Sequence, residues 1–162
     1  MVDLVSGKMS EEMVSPASGR ILRIIEGKGK EGEEGKERMI SIFMHLYNLH
    51  VTVAPLDGVV RGITPEQGTY KPAFMRISDF NTKNTIVLDT RYGAIKVVQI
   101  AGFFTRRIKC EVEEGQRVSK GERMGKICFG SRVDVSVPEG FELCVGSGAR
   151  VRCGKTVIAV LS

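Results

Sequence analysis

The chain has 162 residues and a mass of 17.8 kDa, with 42% hydrophobic and 27% charged residues, a composition that excludes disorder as a whole-chain state. Its longest apolar runs, residues 97–104 and 157–161, fall far short of the ~20 residues a spanning helix needs, and the opening MVDLVSGKMSEEM lacks the basic-then-apolar pattern of a secretory signal. Net charge is +5 and uneven: residues 1–90 hold 11 basic and 12 acidic side chains, residues 91–162 hold 13 and 7.

Taken in chain order, Pro16-Ala-Ser-Gly19-Arg-Ile-Leu-Arg-Ile24 reads as a turn leading into a strand, its glycine free to take positive φ. Residues 26–38, EGKGKEGEEGKER, contain only glycine and charge, bury nothing, and are expected to form a mobile loop or solvated hairpin tip. β-Branched runs punctuated by glycine predict strands at 40–43, 51–53, 85–88, 95–100, 132–137 and 157–161; helix signals are poor throughout. Pro55-Leu-Asp-Gly58-Val-Val-Arg-Gly-Ile63 repeats the first turn and strand at an offset of 39. Gly115-Gln-Arg-Val118-Ser-Lys-Gly121 recurs as Gly148-Ala-Arg-Val151-Arg-Cys-Gly154 at an offset of 33. These echoes predict one mainly β domain over residues 1–162, a sandwich or flattened barrel of Gly-punctuated hairpins with internal pseudo-repeats and little helix. The hairpins resemble those of biotinyl and lipoyl carrier domains, but no Met-Lys-Met or Asp-Lys-Ala tip is present to carry a modified lysine.

A basic C-terminal half suits an anionic partner, where each basic group near a charged leaflet contributes on the order of 1 kcal/mol. With no Trp, three Tyr and no aromatics interleaved among basic residues, nucleic acid is not the expected partner. Cys110, Cys128, Cys144 and Cys153 form no CxxC, and only His45 and His50 could join them, so no metal site is expected; buried reduced thiols and a cytosolic address are.

Two places can carry chemistry. Ile40, Ile42, Met44 and Leu46 are apolar even positions, whereas Asn48, His50 and Thr52 are polar ones, so strand parity switches near Tyr47. His50 then shares a polar face where an amide or hydroxyl can orient a general base; a surface histidine on a half-buried strand has the same signature. The second is Phe129-Gly130-Ser131-Arg132, which by itself reads as a turn, without a G-x-S-x-G elbow.

Three blocks decide the matter: Ser41-Ile-Phe-Met-His-Leu-Tyr-Asn-Leu-His50-Val-Thr-Val-Ala-Pro55-Leu-Asp-Gly58; Val98-Gln-Ile-Ala-Gly102-Phe-Phe-Thr-Arg-Arg107-Ile; and Gly121-Glu-Arg-Met-Gly125-Lys-Ile-Cys-Phe-Gly-Ser131-Arg-Val-Asp-Val-Ser-Val-Pro138. From about Val14 to the C-terminus the chain resembles the short form of the phosphatidylserine decarboxylase family. The resemblance implies a proenzyme that cuts itself between Gly130 and Ser131, giving a β chain 1–130 and an α chain 131–162 that begins with a pyruvoyl group made from Ser131. It implies decarboxylation of a serine phospholipid, phosphatidyl or archaetidyl, with His50 moving protons, and substrate contacts at Asn48, Gly102, Arg107 and Arg132. Arg106, Lys109, Arg150 and Arg152 are further candidates for phosphate or leaflet contact. A homodimer, peripheral on the cytoplasmic face of the membrane, follows from the same resemblance.

The family usually reads Ser-Pro-Ala-Asp-Gly where this chain has Ser15-Pro16-Ala17-Ser18-Gly19, and that Asp is the usual partner of the catalytic histidine. A carboxylate fixes the imidazole tautomer and stabilises imidazolium, whereas the Ser18 hydroxyl only hydrogen-bonds, so slowed or absent maturation is expected. Asp57 occupies the equivalent place in the second copy, where pseudo-symmetry puts it at the mate of that position. Val53 stands where longer relatives carry a second histidine. The alternative is a non-catalytic, unprocessed relative kept as a binding or structural module.

Overall fold

The structure, a computed structural model, describes residues 10–28, 36–44, 50–75, 80–102, 108–127 and 130–162. The first half supplies β1 (Glu11–Val14), β2 (Gly19–Lys28), β3 (Lys36–Met44), β4 (His50–Val53), β5 (Gly58–Glu66) and β6 (Lys83–Thr90). The second supplies β7 (Gly93–Ile100), β8 (Ile108–Cys110), β9 (Arg117–Val118), β10 (Arg123–Ile127), β11 (Ser131–Val137), β12 (Glu142–Leu143), β13 (Arg150–Val151) and β14 (Val157–Leu161). They form a strongly curled half-barrel of order β13-β2-β3-β11-β7-β6-β5-β9 and two small sheets, β1-β14-β12 and β4-β10-β8. The mainly β expectation holds, and no helix among the described residues is long and apolar enough to cross a membrane.

The sequence echoes become a pseudo-twofold. Sheet β1-β14-β12 mirrors β4-β10-β8, and the edge pair β13-β2 mirrors β5-β9. Each echo repeats its hydrogen bonds: the Gly148 N–H donates to Ile21 O at 2.8 Å and the Gly115 N–H to Val60 O at 2.7 Å. The Gly154 N–H donates to Ser15 O and the Gly121 N–H to Ala54 O, both at 2.8 Å. All four of these glycines have φ between +71° and +88°, the left-handed region that glycine enters without steric cost. Alternation along β11 sends Val133, Val135 and Val137 inward against Ile42, Ile86 and Val97 of the same sheet. Met13 and Ile158 of one small sheet and Met124 and Ile127 of the other cover them.

One expectation is corrected and two are sharpened. Of residues 26–38, 26–28 and 36–38 are strand, the β2–β3 ladder running on through Gly27↔Glu37 and Lys28↔Lys36, since backbone pairing needs no apolar side chain; residues 29–35, with the expected loop or hairpin tip, lie outside the described residues. Cys144 is exposed and Cys110 and Cys153 are only partly buried, all as free thiols; Cys128 lies outside the described residues. Thr52, on the expected polar face of β4, is fully buried: the half-barrel covers β4 and answers it with a polar group, Gln99 Nε2 donating to Thr52 Oγ1 at 3.3 Å and Asn84 Nδ2 donating to Gln99 Oε1 at 3.2 Å.

Candidate active site

β11 is central, flanked by β3 and β7, and its first residue is Ser131, opposite Met44. Gly130 precedes it at φ +78° and its N–H donates to Met44 O, so the chain turns sharply into the central strand at the Gly130–Ser131 peptide. β7 ends beside this turn, and two residues on, Gly102 lies against the Gly130 carbonyl. A β-carbon on Gly102 would overlap that oxygen and sit 2.7 Å from the Gly130 carbonyl carbon and 3.3 Å from Ser131 N. Ser131 is fully buried, and its Oγ has no hydrogen-bond partner among the described residues. Leaving a buried hydroxyl unpaired costs on the order of 1–3 kcal/mol and calls for an explanation in the site's chemistry.

His50 is placed by its backbone, at the start of β4 opposite Ile127 and three positions before Gly130 in the chain it pairs with. Ser18 reaches the same strand through Cys153: the Cys153 N–H donates to Ser18 Oγ at 2.8 Å, and the Cys153 thiol donates to Val51 O at 3.2 Å and Pro16 O at 3.4 Å. The Val53 N–H closes the contact on Pro16 O at 2.9 Å. Burial pushes the Cys153 thiol up to about 11, so this thiol stays a neutral donor. Ser18, Arg150, Arg152, Cys153 and Lys155 line an open cleft of about 440 Å³. Its mate holds Asp57, Arg91 and Arg117, and Asp57 Oδ1 accepts from Lys120 N at 2.6 Å as Ser18 Oγ does from Cys153 N. Asp57 therefore serves the opposite end of the pseudo-twofold.

Arg132 is 2% exposed and forks onto Asp134, Nε to Oδ1 at 2.9 Å and Nη2 to Oδ2 at 3.0 Å. Asn48, Arg106 and Arg107 lie outside the described residues, as does the Tyr47 parity switch. Sequence reasoning missed Asn81. Its amide is 1% exposed, donates to Lys71 O and Ala101 O at 2.7 Å each, and accepts from Thr69 Oγ1 at 2.7 Å and Lys71 N at 2.9 Å. All its bonding capacity is used to hold the carbonyl next to Gly102, and nothing in its sequence neighbourhood announces that. Cys153 was visible as a free thiol and as the sixth position of the last echo, but not as a link between Ser18 and β4.

Fold and site together define a layered β protein whose central strand opens on a buried, crowded Gly-Ser peptide. The family model for phosphatidylserine decarboxylase matches residues 5–159, and the chain belongs to that family. A protein of Methanosarcina acetivorans named archaetidylserine decarboxylase proenzyme is 42% identical over 149 residues, covering 92% of this chain and 66% of the relative. One of Archaeoglobus fulgidus with the same name is 42% identical over 150 residues, covering 93% and 71%. The phosphatidylserine decarboxylase proenzyme of Thermobifida fusca is 42% identical over 144 residues, covering 87% and 66%. The chain thus spans about two thirds of the length of these relatives. No solved structure matches it.

Proposed function

We propose that the protein is a proenzyme that cuts itself between Gly130 and Ser131 and then decarboxylates a serine phospholipid to its ethanolamine counterpart, using a pyruvoyl group derived from Ser131. The observation that carries this reading is the Ser131 hydroxyl, buried and without a partner among the described residues, beside a carbonyl held between a left-handed Gly130 and the bare Cα of Gly102. A nucleophile with no competing hydrogen bond from the described residues, next to a crowded acyl carbon, is suited to intramolecular attack. Ser131 Oγ adds to the Gly130 carbonyl carbon and the C–N bond breaks, moving the acyl group from nitrogen to oxygen and freeing the amine. β-Elimination then expels the Gly130 carboxylate, and the unsaturated residue left at 131 takes up water and releases ammonia to become the ketone.

The residues present fit that group, because the start of β11 is enclosed and no described residue partners the atom that is consumed. The pyruvoyl carbonyl supplies what side chains lack, an acceptor for the electron pair left behind by carbon dioxide. His50 carries the protons of the self-cleavage, the decarboxylation or both, a role that typically contributes ~10²- to 10⁴-fold. Asn48 and Arg107 contact the substrate, Arg132 braces the strand carrying the reactive residue, and Gly102 keeps the scissile carbonyl in place. The protein acts as a homodimer, peripheral on the cytoplasmic face of the membrane, with Arg150 and Arg152 toward lipid phosphate. Archaetidyl and phosphatidyl substrates share the headgroup on which this chemistry operates.

Mass spectrometry of folded protein supplied with lipid tests the reading. Two fragments parted after Gly130 are expected, the smaller one blocked by a ketone that borohydride reduces. A chain that stays whole refutes it. One observation favours a second reading, an uncut binding or structural module: Ser18 Oγ is engaged by the Cys153 N–H in the same way that Asp57 is engaged by Lys120, as a brace for the hairpin.

A further inference from the structure

Three of the four exposed large hydrophobic side chains among the described residues fall in one short stretch: Phe74 is 58% exposed, Met75 46% and Phe80 74%, with Ile25 elsewhere on β2. Apolar groups scattered singly on a surface need no explanation, whereas a cluster does. This cluster is held from beneath. The Met75 N–H donates to Pro72 O at 3.0 Å, the Thr69 N–H to Phe80 O at 2.9 Å, and the buried Asn81 amide clamps Lys71 to Ala101. The clamp ends next to Gly102, which rests on the Gly130 carbonyl. On the other side the Phe74 ring meets Phe43 edge-on at 5.8 Å, and Phe43 pairs with Arg132, the neighbour of Ser131. The apolar rim therefore borders the candidate cleavage site. Arg20, which also pairs with Phe43, and Lys71 are exposed charges of the same rim.

We propose that this rim is the surface by which the protein seats itself on an anionic bilayer. Phe74, Met75 and Phe80 enter the interfacial layer while Lys71 and Arg20 face lipid phosphates, which brings the start of β11 over the headgroups. The inference rests on the proposed function, because a substrate whose acyl chains stay in the bilayer needs its enzyme to come to the surface. Exposed aromatics flanked by cations match the chemistry of that interface. Three side chains on one loop offer far less than the ~1,200 Å² that a stable protein–protein contact buries, so a bilayer is the better occupant than a second copy.

The test is co-sedimentation of the full chain with vesicles of equal parts phosphatidylcholine and phosphatidylserine, against pure phosphatidylcholine. Wild type and Ile25→Ser are expected to bind the anionic vesicles alike, and Phe74→Ser/Phe80→Ser to lose about tenfold or more in partition. Circular dichroism melting of the double variant is expected to stay near wild type. Equal binding by the double variant, or no binding by wild type, overturns the proposal. So does a dimer in sedimentation velocity that the double variant abolishes, which would make the rim a protein contact. Vesicle binding does not require the cut after Gly130: an uncut chain that binds through the rim sinks only the catalytic reading, and a cut, active chain that binds without Phe74 and Phe80 sinks only this one.

Discussion

Replacing Gly102 with alanine perturbs the candidate site at its tightest point without replacing either residue of the scissile peptide. The new β-carbon would overlap the Gly130 carbonyl oxygen and lie 2.7 Å from its carbon, where ordinary contact begins at 3.4 Å. The overlapped oxygen sets the shift, so the Gly130–Ser131 peptide must retreat by more than about 1 Å, or β7 must move from β11. Overpacking of this kind costs ~1–3 kcal/mol, and a displacement of about 1 Å at a reacting centre costs up to ~100-fold in rate. The expected outcome for Gly102→Ala is self-cleavage slowed about tenfold to a hundredfold, with a modest drop in melting temperature. The assay is the time course of the two fragments by mass spectrometry after refolding, with Gly62→Ala as control, since a β-carbon at Gly62 meets nothing within 4 Å. If both variants cut at the wild-type rate, the Gly102–Gly130 contact has no part in the reaction.

Ser131→Ala is expected to abolish cleavage and to raise stability by about 1 kcal/mol in urea denaturation, because it removes a buried hydroxyl that no described residue partners; a destabilised variant would mean the hydroxyl is bonded after all. Ser18→Asp is expected to keep the brace to Cys153, as Asp57 does at Lys120, and to speed maturation at least about tenfold by giving His50 a carboxylate; an unchanged half-time refutes that account of position 18. The Cys153 thiol is raised from 9.0 to about 11 by burial. Between those values the unfolded chain has lost its proton and the folded one has not, so stability contributed by this group is intact below pH 9 and falls as pH rises toward 11. Denaturation curves across that window should decline more steeply for wild type than for Cys153→Ser, and identical slopes would refute it. Asn81→Ala strands Lys71 N, Lys71 O and Ala101 O and is expected to lower stability by roughly 1–3 kcal/mol, read as an earlier urea midpoint.

Local patterns carried the architecture. Glycine spacing at 115, 121, 148 and 154, and the turn echo at 16–19 and 55–58, record a duplicated unit whose hydrogen bonds depend on backbone conformation alone, which residue type controls directly. Alternation at Ile40, Ile42 and Met44 marked the buried side of β3 for the same reason. The blocks around His50, Gly102 and Ser131 were legible as a family signature but not as a geometry. Residues 26–28 and 36–38 gave no strand signal because a strand that runs past the core leaves no apolar trace, and the burial of Thr52 gave none because nothing local reveals what will cover a strand. The lodging of Gly102 on the Gly130 carbonyl, the clamp of Asn81 and the route from Ser18 through Cys153 to β4 join residues 28, 20 and 135 positions apart. Those contacts arise only when the half-barrel closes over the small sheets, because burial and partner are properties of the packed layers and not of any stretch of chain.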